Sequence, residues 1–177
     1  KGCDIEAKQL LADVRENLGV SALEDLRILV RYDVEGMKEV NFKIAEKTVF
    51  SEPPVDIIYS ENFPVADDET YFGMEYLPGQ YDQRADSAMQ CIQIIGGNYE
   101  ALIACAKIFV LKGRLSVEDI EKIKQYCINP VDSREASKDK PETLKMNLNI
   151  PETVDTLTGF IDKSENELLK MRADMGL

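Results

Sequence analysis

The chain has 177 residues, of which 44% are hydrophobic, and its formal net charge is −12. This length allows one large or two small domains, which bury roughly 70% of the unfolded surface on folding. The acidic excess argues against a nucleic-acid partner, because such binding depends on Lys and Arg side chains that neutralise phosphates. It also disfavours an anionic membrane surface. Since no run of 18 apolar residues occurs, we predict no membrane span and no membrane partner.

Four elements are predicted in the first part of the chain. A helix at about 4–18 carries an apolar stripe at helical spacing, with Gly19 as its stop. A strand follows at about 23–33, and a second helix at about 38–50. After two prolines we predict a short strand at Val55–Tyr59.

The next part repeats this order of elements. We predict a strand at about 69–77, a helix from Asp82 or Gln83 to Ile95, and a strand at about 102–111. A further helix begins at Ser116, which opens a capping-box pattern. Beyond it, we predict a short extended piece at 144–150. A last helix begins at Ser164.

The two parts can be overlaid at a nearly constant offset. Asp4 falls on Asp82, 78 positions later, and Pro54-Val55-Asp56 falls on Pro130-Val131-Asp132, 76 positions later. We infer an internal duplication, with a chance overlay as the alternative. The second half has a strand before its first helix, so we expect the parent protein to have one just before Lys1.

The predicted fold class is α+β, with two ferredoxin-like β-α-β-α-β units. Residues 1–62 form the first half, residues 63–140 the second half, and residues 141–177 a C-terminal extension. Each unit packs its helices on one face of a mainly antiparallel sheet. The units therefore form either two small layers or one longer, shared sheet.

A polar cluster lies where the second half's first helix begins. Pro78-Gly79 suits a type II turn, and the free N–H groups of the next helix attract anions. The cluster is therefore a candidate for a ligand cleft or for contact with a catalytic domain. Alternatively, Asp82 caps the helix while Arg84 and Asp86 pair on its surface. The candidate residues are Gly79, Gln80, Asp82, Gln83, Arg84, Asp86 and Ser87.

A second polar cluster follows the last helix of the second half. It is either a turn held by local hydrogen bonds or a docking surface for another domain. Its candidate residues are Asn129, Asp132, Ser133 and Arg134.

The sequence offers no self-sufficient catalytic site. Histidine is absent, which removes the commonest general base and metal ligand. Neither GxxxxGK[ST] nor GxGxxG occurs. The segment Asp67–Glu69 is typical of a solvated turn, with a divalent-cation site as the weaker alternative. We predict no catalytic residue and no metal site.

The four cysteines form no CxxC pair. They are Cys3, Cys91, Cys105 and Cys127. We expect reduced and mostly buried thiols in a cytoplasmic protein, and keep a disulfide framework or a metal site as alternatives.

Three blocks carry a resemblance to a known family. They are Leu77-Pro-Gly-Gln-Tyr-Asp-Gln-Arg-Ala-Asp-Ser-Ala88, Ile128-Asn-Pro-Val-Asp-Ser-Arg-Glu-Ala136 and, more weakly, Asp25–Gly36. Together with Thr48–Asp56, they resemble the N-terminal region of the large, single-chain phosphoribosylformylglycinamidine synthases. That region is similar to a fused dimer of PurS, a small separate subunit in many bacteria.

The resemblance implies the function of the parent enzyme. It converts formylglycinamide ribonucleotide to formylglycinamidine ribonucleotide in purine biosynthesis, using ATP with magnesium and ammonia from glutamine. The synthase and linker domains of the same polypeptide would be the partners of this chain. Since the synthase and glutaminase motifs are absent here, we expect no turnover and no cofactor in the fragment itself.

Two further expectations concern how the fragment behaves alone. An exposed sheet edge makes a homodimer of the fragment plausible. The alternative function is an independent small-metabolite-binding or regulatory module with two ferredoxin-like units.

Overall fold

The computed structural model describes residues 4–96, 101–145, 156–157 and 159–175. The chain divides into two compact units, Lys1–Met146 and Asn147–Leu177. The described part of the second unit contains a 3-10 turn at Phe160–Asp162 and a helix, α5, at Glu165–Asp174. That helix begins with the capping box predicted at Ser164, where Glu167 is the reciprocal partner.

The described part of the first unit contains four strands and four helices in alternation. The four helices and the first three strands follow the prediction with bounds that differ by a few residues, whereas the short fourth strand was not predicted. The elements are α1 Ile5–Glu16, β1 Leu23–Glu35, α2 Glu39–Thr48, β2 Glu69–Tyr76, α3 Gln83–Gly96, β3 Leu102–Gly113, α4 Val117–Cys127 and β4 Ser133–Ala136.

One antiparallel sheet joins these strands in the order β1-β3-β2-β4. β3 is central and pairs with β1 along nearly its whole length, from Leu23 opposite Gly113 to Glu35 opposite Leu102. β2 pairs with the other edge of β3, and β4 pairs with β2. The fold is therefore α+β with one four-stranded antiparallel sheet, which is compatible with ferredoxin-like units.

Two hydrophobic cores lie between the helices and one face of the sheet. The first core joins α1 and α4, through Ala7, Val14 and Ile123, to strand residues including Phe72 and Phe109. The second core joins α2 and α3, through Ala45, Ala85, Ala88 and Ile92, to Ile103 of β3. Tyr32 of β1 and Phe50 pack against this second core, with their ring centroids 5.0 Å apart.

A third cluster lies on the opposite face of the sheet. Ala106, Ile108 and Val110 of β3 contact Ala136 of β4 there, and Phe63 and Tyr71 cover them. Gly73 is the close-approach point of this face. A Cβ at this position would lie 2.9 Å from Cβ of Ala136 and 3.0 Å from Cδ1 of Ile108.

The predicted strand at Val55–Tyr59 was wrong. Glu52–Asp56 forms a compact turn instead, in which the Asp56 carboxylate accepts a hydrogen bond from the Glu52 N–H at 2.7 Å. Ile57, Ile58 and Tyr59 follow in irregular structure and are 40–59% exposed. A strand needs a hydrogen-bonding neighbour, and no described strand of the sheet pairs with these residues.

Some expectations at the chain's C-terminal side lie outside the described residues. The predicted extended piece at 144–150 is described only at residues 144 and 145, which form no strand. Across the described ranges, no helix has the length and apolar character needed to cross a bilayer.

Candidate functional site

The turn between β2 and α3 has the predicted geometry. The Gln80 N–H donates to the Leu77 carbonyl at 3.0 Å, and Gly79 has φ = 90°. A type II turn requires such a positive φ at its third residue, where a side chain is strained. The turn therefore fixes the direction in which the chain enters α3.

Asp82 connects the start of α3 to the sheet. Its Oδ1 accepts hydrogen bonds from the N–H groups of Arg84 and Ala85, both at 3.0 Å. Its Oδ2 accepts from the Cys105 N–H of β3 at 3.2 Å. The β2–β3 pairing ends at Glu75 opposite Ala106, so Asp82 pairs with the first β3 amide beyond that ladder. The predicted cap is confirmed, and it also anchors the helix on β3.

Arg84 and Asp86 have different partners from those expected. Arg84 Nη1 donates to the Tyr32 hydroxyl of β1 at 3.2 Å, a contact that raises the pKa of the guanidinium. Asp86 accepts from the Tyr81 hydroxyl at 2.8 Å and from the Gln90 amide at 2.7 Å. The expected Arg84–Asp86 pair is therefore replaced by a link between α3 and β1, because Tyr32 points to the helical face of the sheet.

An open cleft of about 550 Å³ lies beside the first turns of α3. Four predicted site residues line it, namely Asp82, Gln83, Arg84 and Ser87. The predicted residues Gly79, Gln80 and Asp86 are not among the lining residues. The remaining walls come from residues inside β1 and β3, the end of β2, two further residues of α3 and Val49 after α2. The structure thus brings the helix-start cluster together with three strands that are distant in sequence.

Lys107 is a cleft residue that the sequence reasoning missed. It rises from β3, and its Nζ lies 2.6 Å from Oε1 of Glu6 in α1. Its neighbour across the ladder is Val30, which also lines the cleft and is 38% exposed. The sequence signal that could have found it is that Lys107 is the single charged residue within the apolar run Leu102–Leu111.

Two thiols contribute to the cleft in different states. Cys91 of α3 is exposed, whereas Cys105 of β3 is half-buried. Burial, reinforced by the Asp82 carboxylate, raises the pKa of Cys105 to about 12. Cys105 is therefore a neutral, weakly reactive thiol at neutral pH.

The second predicted cluster forms a hydrogen-bonded turn. The Asn129 side chain accepts from the Val131 N–H at 3.2 Å. The Ser133 hydroxyl accepts from the Asn129 N–H at 3.0 Å and donates to its carbonyl at 2.9 Å. Ser133 is buried, whereas Asn129 is exposed and Asp132 is half-exposed. The local interpretation of this segment accounts for these contacts.

Arg134 extends from this turn toward the neighbouring strand. Its guanidinium pairs with Oε1 of Glu75 at 2.8 Å. Arg134 is exposed and does not line the cleft. The structure therefore leaves the two predicted clusters as separate surfaces, connected through Glu75 of β2.

In the ranges that the structure describes, no three His, Cys, Asp or Glu side chains are grouped so that they could hold a metal ion. Comparisons with protein-family models, curated proteins and solved structures find no match to this chain.

Proposed function

We propose that this chain is the N-terminal, non-catalytic module of a large phosphoribosylformylglycinamidine synthase. In this role it docks on the synthase region and completes it. The parent enzyme would use ATP, magnesium and glutamine, and the chain alone would show no turnover. The observation that carries the proposal is a pseudo-symmetry between the two cores, which is what a fused PurS-like dimer would have.

The helical residues of the two cores correspond at one constant offset. Each pair below is separated by 78 positions, and each has one member in or against the first core and the other in or against the second. The pairs are Ala7 and Ala85, Leu10 and Ala88, Leu11 and Met89, Val14 and Ile92, Met37 and Leu115, Ala45 and Ile123, Val49 and Cys127, and Phe50 and Ile128.

The strands follow the same rule at an offset of 77. Leu26 corresponds to Ile103, Ile28 to Cys105, and Tyr32 to Phe109, again with one member at each core. Val30 and Lys107 are also 77 positions apart, and they face each other in the β1–β3 ladder. A pseudo-two-fold axis through this pair would account for these offsets. Each core takes one helix from each half, so the halves are interlocked.

The second support comes from the block that resembles the family most closely. Leu77–Ala88 forms the type II turn and the capped start of α3. Tyr81 is 69% exposed and Tyr76 is 45% exposed, so the turn is flanked by aromatic surface. Exposed aromatic side chains beside a polar cleft are typical of interaction surfaces. We therefore assign this surface to contact with the synthase region.

A mixing experiment tests the docking role. The chain is added to a synthase polypeptide that lacks its own N-terminal region, with ammonia, ATP and the ribonucleotide substrate, and formation of the amidine product is assayed. Restored activity is the expected result. A folded chain that neither binds nor restores activity would overturn docking by a separate module.

The duplication has its own test. The second half's β2 lies between β3 and β4, and its counterpart would lie on the free edge of β1. We expect a run with strand pattern upstream of Lys1 in the parent reading frame. A parent frame whose preceding residues lack such a pattern would contradict the duplication.

The cleft favours a second candidate function. Its volume of about 550 Å³ is within the range of small-molecule sites. An independent metabolite-binding or regulatory module would have such a cleft without needing a synthase partner. Retained ligand binding with no rescue in the mixing experiment would favour this candidate.

A further inference from the structure

The charge of the cleft differs from the charge of the chain. The whole chain carries −12, yet the cleft lining contains the two cations Arg84 and Lys107. Its carboxylates are already engaged. Asp82 accepts three backbone N–H groups, and Glu75 pairs with Arg134 outside the cleft. The two cations balance these two carboxylates, so the cleft lining is neutral within a chain of net charge −12, and an oxyanion meets less repulsion there than over the chain as a whole.

Arg84 is the cleft cation that forms no salt bridge with the described residues. Lys107 pairs with Glu6 at 2.6 Å, whereas Arg84 donates a hydrogen bond to the neutral Tyr32 hydroxyl and interacts with the Glu6 charge only more weakly. That single bond uses Nη1 and holds the guanidinium beside the strand. A guanidinium has five N–H donors arranged in a fork that matches carboxylate and phosphate groups. The remaining donors of Arg84 are therefore available to an oxyanion.

The backbone N–H groups at the N-terminus of α3 do not form the anion site. The N–H groups of Arg84 and Ala85 donate to Asp82, so the carboxylate occupies the position that an anion would take on the helix axis. The attraction must come from the side chains that line the cleft. Ser87, one turn further along α3, adds an exposed hydroxyl on the same wall.

The other cleft walls suit an uncharged body. Val30, Met74 and the neutral Cys105 thiol line the cleft, and the Tyr76 ring stands at the end of β2. A ligand with one oxyanion group and an apolar or planar remainder would pair its charge with Arg84 and cover these side chains. The volume of about 550 Å³ accommodates such a molecule and exceeds the size of a simple ion.

We propose that this cleft binds a small organic oxyanion, with its carboxylate or phosphate held by the Arg84 guanidinium. The inference goes beyond the docking role and does not require it. The ligand is a free small molecule that carries one oxyanion on an apolar or planar body. The carboxylate and phosphate forms share this chemistry.

Backbone amide NMR of the full 177-residue chain tests the proposal with three matched probes. Benzoate and phenyl phosphate carry the two oxyanions on the same ring, and benzamide is the neutral control. We expect saturable shifts at residues 83–88 and 105–107 for the better oxyanion, and at least about tenfold weaker binding of benzamide. Comparison of benzoate with phenyl phosphate identifies the preferred group. Equal binding of benzamide, or shifts scattered over the surface, would overturn the proposal.

Two substitutions that remove one positive charge complete the test. Arg84→Gln should weaken binding at least about tenfold, because the forked donor is lost. Arg84→Lys keeps the charge without the fork, so its affinity should lie between those of the unmodified chain and Arg84→Gln. Lys112→Gln makes the same charge change at a surface residue that pairs with Asp68 outside the cleft, and it should leave binding unchanged. Unaltered binding in Arg84→Gln would refute the assignment. If benzoate binds through Arg84 but the chain does not restore synthase activity, the docking role is contradicted and the oxyanion site is not.

Discussion

The two cores differ in how many strands enclose them. The first core receives Phe72 from β2, which is 1% exposed and stacks on Phe109 with ring centroids 5.0 Å apart. In the second core the counterpart of Phe109 is Tyr32, which lies on the edge strand β1 and contacts Phe50 after α2. No described strand lies beyond Tyr32. Within the described residues, three strands therefore contribute to the first core and two to the second.

This difference shows which part of a core depends on the sheet and which on the helices. Helix pairing is nearly the same in both cores, since Val14 is 0% exposed and its counterpart Ile92 is 2% exposed. The strand contribution differs, and with it the burial of neighbouring residues. Helix–helix packing can thus form without the full sheet, whereas an edge strand keeps unpaired amide groups.

The largest expected effect comes from removing the Phe72 ring, which β2 contributes to the first core and which has no equivalent among the described residues of the second. Phe72→Ala should lower the free energy of unfolding by about 3–5 kcal/mol, because it leaves a cavity in the first core, between the sheet and helices α1 and α4. Tyr32→Ala at the edge should cost about 1–2 kcal/mol. Denaturant unfolding of both variants measures the difference. Equal costs would show that the second core is as fully enclosed as the first.

Hydrogen exchange should show the same contrast in the backbone. Alternate amides of β1 face its unpaired edge, whereas β3 is paired on both sides along residues 106–112. We expect the outward amides of β1 to exchange about a hundredfold faster than those in the middle of β3. Protection of every β1 amide would mean that a further segment covers this edge.

Thiol reactivity tests how open the second core is at the cleft. Cys105 lines the cleft but is half-buried, and its pKa is raised to about 12 by burial, so little thiolate is present near neutral pH. Cys91 is exposed on α3. At pH 8 we expect Cys105 to react at least about tenfold more slowly than Cys91 with a disulfide reagent. The sites are distinguished by mass spectrometry of digests, and comparable rates would contradict the burial of Cys105.

The smallest effect concerns the caps of two corresponding helices. α4 begins at Ser116, whose hydroxyl accepts from the Asp119 N–H at 3.1 Å, whereas α2 begins at Lys38 with no side-chain cap. Ser116 and Lys38 are 78 positions apart. Ser116→Ala should cost about 1 kcal/mol, and Lys38→Ser should add about 0.5 kcal/mol. Thermal unfolding measures both, and a destabilising Lys38→Ser would contradict the correspondence of the two helix starts.

The α4 cap also has a defined pH dependence. Hydrogen bonds from the Ser116 side chain and backbone lower the pKa of Asp119 below its usual range. A carboxylate with a lowered pKa contributes stability above its unfolded pKa and loses it as the pH falls through the folded value. The difference in free energy of unfolding between the unmodified chain and Asp119→Asn should therefore shrink in acid. Unfolding midpoints from pH 7 to pH 2 check this, and a difference that widens in acid would refute it.

The helices and three of the four strands of the sheet were predictable because their signals are local, whereas the short strand β4 lies in a segment that was expected to form a turn or a docking surface. Periodicity placed α1, α3 and α4 from apolar spacing, and the capping pattern at Ser116 placed a helix start. The strand predicted at Val55–Tyr59 has suitable side chains but no paired neighbour among the described strands. Its failure shows that a strand also depends on a partner that local sequence does not specify.

The site was predictable only in its local part. The turn at Gly79 and the cap at Asp82 depend on contacts within a few residues, and both are present. Tyr32 and Arg84 are 52 positions apart, and Glu6 and Lys107 are 101 positions apart. These contacts follow from the sheet order, with β3 between β1 and β2. The duplication was the one sequence signal that relates such distant positions.

The ion pair between Glu6 and Lys107 is a contact that, under the proposed duplication, a single chain can form on one side only, whereas a homodimer of identical halves would have the same residues on both sides. Positions 6 and 84 are 78 apart, and they hold a glutamate and an arginine. In a homodimer of identical halves, both positions would carry the same residue, so like charges would approach each other across the axis. Joining the halves in one polypeptide lets each side change independently. Under the proposed duplication, Glu6 pairs with Lys107 while Arg84, at the corresponding position, donates to the Tyr32 hydroxyl, so the two corresponding positions carry opposite charges.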